Sequence, residues 1–357
     1  MTTRRGFIAS LLAASALPSL SWADAGSPAY LAAAKLADGT FALHGLTAMG
    51  ATVFAIPLPA RGHAATAHPT RPEAVAFARR PGIYAIILNC ANGAVITRLA
   101  PPDGSQFNGH GTFSKDGAVL YTSEVIASTS EGRIGLWDAA NGYRRIGSWA
   151  SGGIGPHDLK RLPGGDTLVI ANGGIQTDPQ DRTKLNIDSM RPNLAYLDAA
   201  GQITDLIELA SQYRQNSIRH LAIAADNTVA FALQWEGDPA EPVPLLGLHK
   251  QGTPPHLCAV PEAEMFVMQG YAGSIAFDRT GQEVAITSSH GGAVQIYQRD
   301  GTFTAGLLRA DASGIASASS GFLLTDGFGT ISAIIDHAVV PITKGNALWD
   351  NHLVALM

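Results

Sequence analysis

The sequence predicts an all-β fold: a seven-bladed β-propeller of four-stranded antiparallel blades, with the ring closed by the C-terminal strand joining the N-terminal blade. Three observations predict it. His63, His110 and His157 are each 47 residues apart, and His220 follows 63 residues later. Each opens a short apolar run, then a turn signal, then a second apolar run, and a period of about 40–50 residues in a strand-rich chain marks a radial repeat. The composition agrees: 39 glycines in 357 residues, 46% hydrophobic and 15% charged, suit a large core crossed by many tight turns. Finally, His352 in DNHLVAL repeats the same local setting at the far end of the chain. The two ends therefore meet in one blade.

The first unit is split. YLAAAKL, FALHGL and TVFAIPL give three strands, and the C-terminal HLVAL supplies the inner one, which removes an open sheet edge. In the second unit HAATA leads through HPTRPE to AVAFA, IYAIILN, the Asn92-Gly93 turn and AVITRL. The third is the clearest. GHGTFS is an inner strand, Asp116-Gly117 a hairpin turn, AVLYTS and GRIGLWD the middle strands, and YRRIGSW the outer one after Asn141-Gly142. HDLKRL, TLVIAN, NLAYLD and ITDLIEL make the fourth; HLAIA, TVAFALQ, LLGLHK and a strand near LCAVP the fifth. SIAFD, EVAITSS, AVQIYQ and FTAGLL make the sixth, and a seventh begins at Gly314-Ile315 and runs through FLLTD and TISAIID. Eight blades would leave too few residues for each.

Residues 1–23 stand apart. Arg4 and Arg5 precede an apolar run from Phe7 to Leu17, and Ser21-Trp22-Ala23 is a small-x-small cleavage site. The run is short for a membrane span. An aromatic residue follows the arginine pair at the offset of a twin-arginine export signal. The expectation is a signal over 1–23, a single propeller domain over 24–357, a periplasmic location and no stable membrane anchor. The formal net charge is −5 and no basic run is clustered, so no nucleic-acid partner is expected. Cys90 and Cys258, both in apolar runs, are expected as buried free thiols.

Propeller topology then predicts where chemistry lies. The five repeated histidines are expected to occupy one structural position and to point toward the rim where inner strands begin. The long insertions Ala171 to Asn193 and Gln234 to Pro244 should emerge at the same face. Neutral imidazoles are ligands for zinc, copper and iron, so His63, His110, His157, His220 and His352, with Asp158, form a candidate metal set. Ligand bonds of roughly 2.0–2.1 Å argue that only two or three share one ion. The competing expectation is that each histidine bonds a neighbouring blade's backbone and locks blade to blade. Asn172, Arg182, Lys184, Asn186 and Arg219 form a candidate site for an anionic ligand, or else a self-bonded loop. Trp137 reads as blade core and His290 as a solvated turn residue. There is no nucleophile elbow, phosphate loop, HExxH or CxxCH, so hydrolase chemistry has no support in the sequence. A binding or scaffold protein and a metal-dependent or redox-linked enzyme both remain open.

GHGTFSKDG, GPHDL with PGGDTLVIANGGI, RTKLNIDSM and SIRHLAI together resemble domain-of-unknown-function family 1513 over essentially the whole chain after the signal. The resemblance implies a twin-arginine-exported periplasmic propeller. It also implies an association with imelysin-like, iron-linked periplasmic proteins, and hence a role around metal uptake with such proteins as partners. It carries over no catalytic residues. Ser288-Ser289-His290-Gly291-Gly292 departs from the family's Pro-Arg pair at that place.

Overall fold

A computed structural model describes residues 20–79, 84–181 and 183–356; most of the expected signal, Arg182 and Met357 lie outside them. The described residues form seven four-stranded antiparallel sheets. In the first, Leu348–Ala355 is the inner strand and is followed outward by Tyr30–Lys35, Phe41–Leu46 and Thr52–Leu58. The expected closure is therefore present. Each of the other inner strands packs on the inner strands of both neighbouring blades, and Ala312–Ser317 of the seventh returns to Leu348–Ala355 of the first.

Burial follows position within a blade. Middle strands are covered on both faces by adjacent blades, so they are apolar almost throughout: Leu168–Asn172 and Asn193–Leu197 are buried at every residue, with an asparagine at one end of each. Outer strands have one wet face and alternate, as in Ile203–Glu208. The apolar clusters consequently lie between blades. One joins Tyr196 and Leu194 of the fourth blade to Phe231 and Leu246 of the fifth and Ile286 and Tyr297 of the sixth. Full burial of each such side chain contributes about 1.5–3 kcal/mol. The fifth blade's outer strand shrinks to His256–Leu257.

Polar locks join the blades where the core ends. His68 of the second blade is buried; its Nε2 donates to Gly117 O of the third at 3.1 Å, and its Nδ1 accepts from Arg71 N at 2.9 Å. His249 of the fifth accepts from Tyr196 Oη of the fourth at 2.7 Å and donates to Thr253 O at 2.8 Å. Trp137 is core, with its indole N–H on Thr122 Oγ1 at 2.9 Å. Cys90 and Cys258 are free and buried, as expected, and burial pushes both thiols up to about 12.

Candidate metal centre in the propeller channel

Hydrogen-bond register fixes the level of each inner-strand residue. Counting back from the N–H that closes each blade's first hairpin, one level is occupied by Leu353, Ala65, Gly111, Leu159, Leu221, Ile275 and Ile315. The residues immediately before them are His352, Ala64, His110, Asp158, His220, Ser274 and Gly314. The 47-residue period thus hides a one-residue step. His110, His220 and His352 are equivalent, whereas His63 and His157 sit one residue upstream, beside Ala64 and Asp158. This corrects the expectation of a single repeated position.

The step is produced by bulges. The pairing slips between Gly62 and Ala65, Phe107 and Gly111, Pro156 and Asp158, Ile218 and His220, and on the closing strand between Trp349 and Leu353. Every one of the five histidines lies at such a slip. A bulge frees a residue from the two-residue alternation and re-aims its side chain, here toward the axis. Gly109 shows how tight the result is. It has φ +95°, and a Cβ there would stand 2.6 Å from the His63 ring. In the seventh blade a Cβ on Gly314 would meet Leu353 N at 2.7 Å, so that level carries no side chain there.

The five imidazoles pack together, with ring centroids 4.6–5.8 Å apart. His110 Nε2 lies 3.2 Å from His63 Nε2, and His110 Nδ1 lies 3.2 Å from Asp158 Oδ1. Asp158 is buried; its Oδ1 also accepts Leu159 N at 2.8 Å and its Oδ2 accepts Leu221 N of the next blade at 3.0 Å. Burial alone would raise this carboxyl, but Lys160 and His110 outweigh it and hold it well below the usual carboxylate range. An ionised Asp158 fixes the proton of His110 on Nδ1 and leaves the Nε2 lone pair facing the cluster. Burial, then the neighbouring imidazoles, hold His220 and His352 well below the ordinary histidine range, so both are neutral at pH 7.

His220 Nδ1 and His352 Nε2 are buried and have no hydrogen-bond partner among the described residues. Each such orphan costs about 1–3 kcal/mol. His68 and His249 show what satisfied structural histidines look like in this fold, and His220 and His352 differ from them. Two groups bring one ligand atom per residue within 4.8 Å of one another: His63, His110 and His352, and His110, His157 and His220. Nitrogens sharing one tetrahedral ion stand about 3.3–3.4 Å apart, given bonds of roughly 2.0–2.1 Å; the His110–His63 separation already matches. Neutral imidazoles without thiolates suit zinc, copper or iron.

Access corrects a second expectation. His110, His220 and His352 end a cavity of about 680 Å³ whose lining also includes Asp226 and Thr280, residues of the hairpin turns. It opens at the face where inner strands finish, not at the loop rim. Asp158 belongs to neither three-residue group and stands behind His110 as its orienting carboxylate.

The candidate anion cluster is dispersed into loop contacts. Asn172 is fully buried, donates to Ser151 O and Asn193 Oδ1 at 2.9 Å each, and accepts from Ser151 Oγ at 2.7 Å. Asn186 accepts from Gln176 N at 2.7 Å and donates to Gly174 O at 2.9 Å, tying the insertion to itself. Lys184 pairs with Glu236, and Arg219 Nη2 approaches the same carboxylate at 3.7 Å. Arg182 lies outside the described residues. Lys160, which the sequence reading missed, lies 3.9 Å from Asp158 Oδ1 and lines the cavity. Its spacing of two from Asp158 on a strand was the available signal.

The architecture is similar to that of Kuenenia stuttgartiensis hydrazine synthase, with a TM-score of 0.61 and 13% identity over 86% of this chain and 90% of that one. It is also similar to the beta-propeller domain of Myceliophteria thermophila Cps50 (Swd1), with a TM-score of 0.59 and 11% identity over 83% and 89%. At these identities the likeness is one of fold. No curated protein matches the chain in sequence. A family model described as "Protein of unknown function (DUF1513)" matches residues 56–356, so the chain belongs to that family.

Proposed function

We propose that this protein is a periplasmic binding or scaffold propeller of a metal-acquisition system, and that it holds one transition-metal ion, iron, copper or zinc, among its channel histidines. One observation carries the reading: His220 Nδ1 and His352 Nε2 are buried without hydrogen bonds inside a cluster of five imidazoles. A divalent ion would take one of those two histidines as a ligand, His352 with His63 and His110 or His220 with His110 and His157. Asp158 supports it twice, by orienting His110 and by placing one buried negative charge beside the site. Both three-residue groups include His110, so they describe alternative seats for a single ion rather than a pair. Export is supported by Arg4 and Arg5 with the apolar run after them, and the partners are taken to be other periplasmic proteins of metal uptake.

The test is elemental analysis of protein exported through its own signal and purified without tag or chelator. The expected result is about one equivalent of metal, found in the periplasmic fraction. A His110→Ala/His157→Ala variant should keep the native circular dichroism and lose the metal. A wild-type protein that stays metal-free even after reconstitution sinks the reading.

A further inference from the structure

We propose that the ion's open coordination position is taken by a small organic anion, a carboxylate with an apolar body, bound in the 680 Å³ cavity beneath the histidines. The inference rests on the metal reading above and names what that site would take.

Three features of the cavity select this ligand. The first is its inner end. Only the three register-equivalent histidines, His110, His220 and His352, reach it, while His63 and His157 are outside its lining. Either seat includes two of them, His110 with His352 or His110 with His220; an ion seated on three imidazoles keeps a vacant position, which the anion would take from the cavity side. The second is charge. The imidazoles are neutral ligands and the Asp158 carboxylate already has the Lys160 ammonium 3.9 Å away, so a divalent ion leaves at least one positive charge uncompensated. An uncompensated buried charge is strongly unfavourable, and a monoanion removes it. The third is the wall. Ile223 and Val354, both half-buried, line the cavity, and behind them Ile275, Phe277 and Ile315 belong to the apolar clusters between blades. Inorganic anions gain nothing from such a surface, whereas an alkyl or aryl body does. The size falls within the range of pockets that hold small organic ligands.

The mouth adds selectivity. Lys160 and Arg279 line it, and Arg279 is exposed and makes no ion pair among the described residues. Arg299, the third cation there, is committed to Asp226. Arg279 therefore steers anions inward without belonging to the ion's own shell.

The experiment uses the exported full-length protein loaded with Co²⁺, whose visible bands report coordination. It is titrated with formate, acetate, butyrate and hexanoate, and with chloride. Carboxylates are expected to shift the bands at one equivalent, with affinity rising about fourfold per methylene. Arg279→Gln should weaken butyrate binding several-fold and leave the anion-free cobalt spectrum unchanged. Equal affinities for chloride, formate and hexanoate would overturn the proposal, since the apolar wall would then play no part. So would bands that no anion moves, which would mean that protein groups alone fill the ion's shell. Absence of any cobalt bands would remove the metal site itself, and the proposal with it; the spectrum separates that failure from the others.

Discussion

His220 and His352 give up solvent and hydrogen bonds, and their protonation follows from that loss. Burial and the adjacent imidazoles hold both below the ordinary value of 6.5. In the unfolded chain they regain that value, so between about pH 6.5 and their lower folded values the unfolded state binds more protons than the folded one. Stability then falls as pH falls through this window, by up to about 1.4 kcal/mol per pH unit for each histidine. Asp158 does not contribute there. Its carboxyl is depressed from 3.8, so its linkage lies at more acid pH. The expected outcome is that the urea midpoint of metal-free protein drops steadily from pH 7 to pH 5.5. A flat profile would mean the pair is solvated or already charged. Much of this was visible in the sequence as five histidines in similar apolar settings. What distinguished His220 and His352 from His68 and His249 was not, because hydrogen-bond satisfaction depends on which backbone groups a neighbouring blade brings near.

Strands and turns were legible because their signals are local: Asp-Gly and Asn-Gly turns, apolar middle runs and alternating outer ones. The bulges were not. A bulge adds one or two residues to an inner strand without leaving a composition mark, so a 47-residue spacing concealed the offset of His63 and His157 from His110. The same blindness placed the histidines at the loop rim, since three of their inner strands begin well before them: Ser105–Phe113 starts five residues ahead of His110, and Asn216–Ile223 and Leu348–Ala355 start four ahead of His220 and His352. The flanking glycines were the missed clue. Gly109 has φ +95° and the His63 ring lies against it, so Gly109→Ala combines a strained backbone with a close approach of 2.6 Å. The expected cost is about 1–3 kcal/mol, read as a lowered chemical-denaturation midpoint. Because His63 must move to make room, metal content should fall in the same variant. A midpoint within error of wild type would show that the bulge is pliable. Around the insertions, Asn172, Asn186 and Lys184 meet partners that only the folded chain brings near, Ser151 and Asn193, Gln176 and Gly174, and Glu236, which residue type alone does not reveal.

Ring closure and the candidate site share one element. Leu348–Ala355 pairs with Tyr30–Lys35, packs against Ala312–Ser317 and Gly62–Ala67, and carries His352. It also carries Asp350, a buried carboxylate that Arg61 Nε of the second blade reaches at 2.6 Å. Trp349 and Leu353 belong to the apolar cluster between the seventh and first blades. Removing the strand would therefore expose the edge of Tyr30–Lys35, break two blade contacts and take one imidazole from the cluster at once. A propeller's stability is spread over contacts between adjacent blades, but only a closed ring lets every blade have two neighbours. A chain ending at residue 347 should lose the single cooperative melt of the intact protein and self-associate through the open edge. Adding a synthetic peptide of residues 346–357 should restore both the cooperative transition and the capacity for metal. The peptide with His352→Ala should restore the melt alone, because pairing and packing do not need the imidazole whereas the ion does. If that peptide restored both, His352 would be a passenger on the closing strand; if it restored neither, the imidazole would be part of the closure itself.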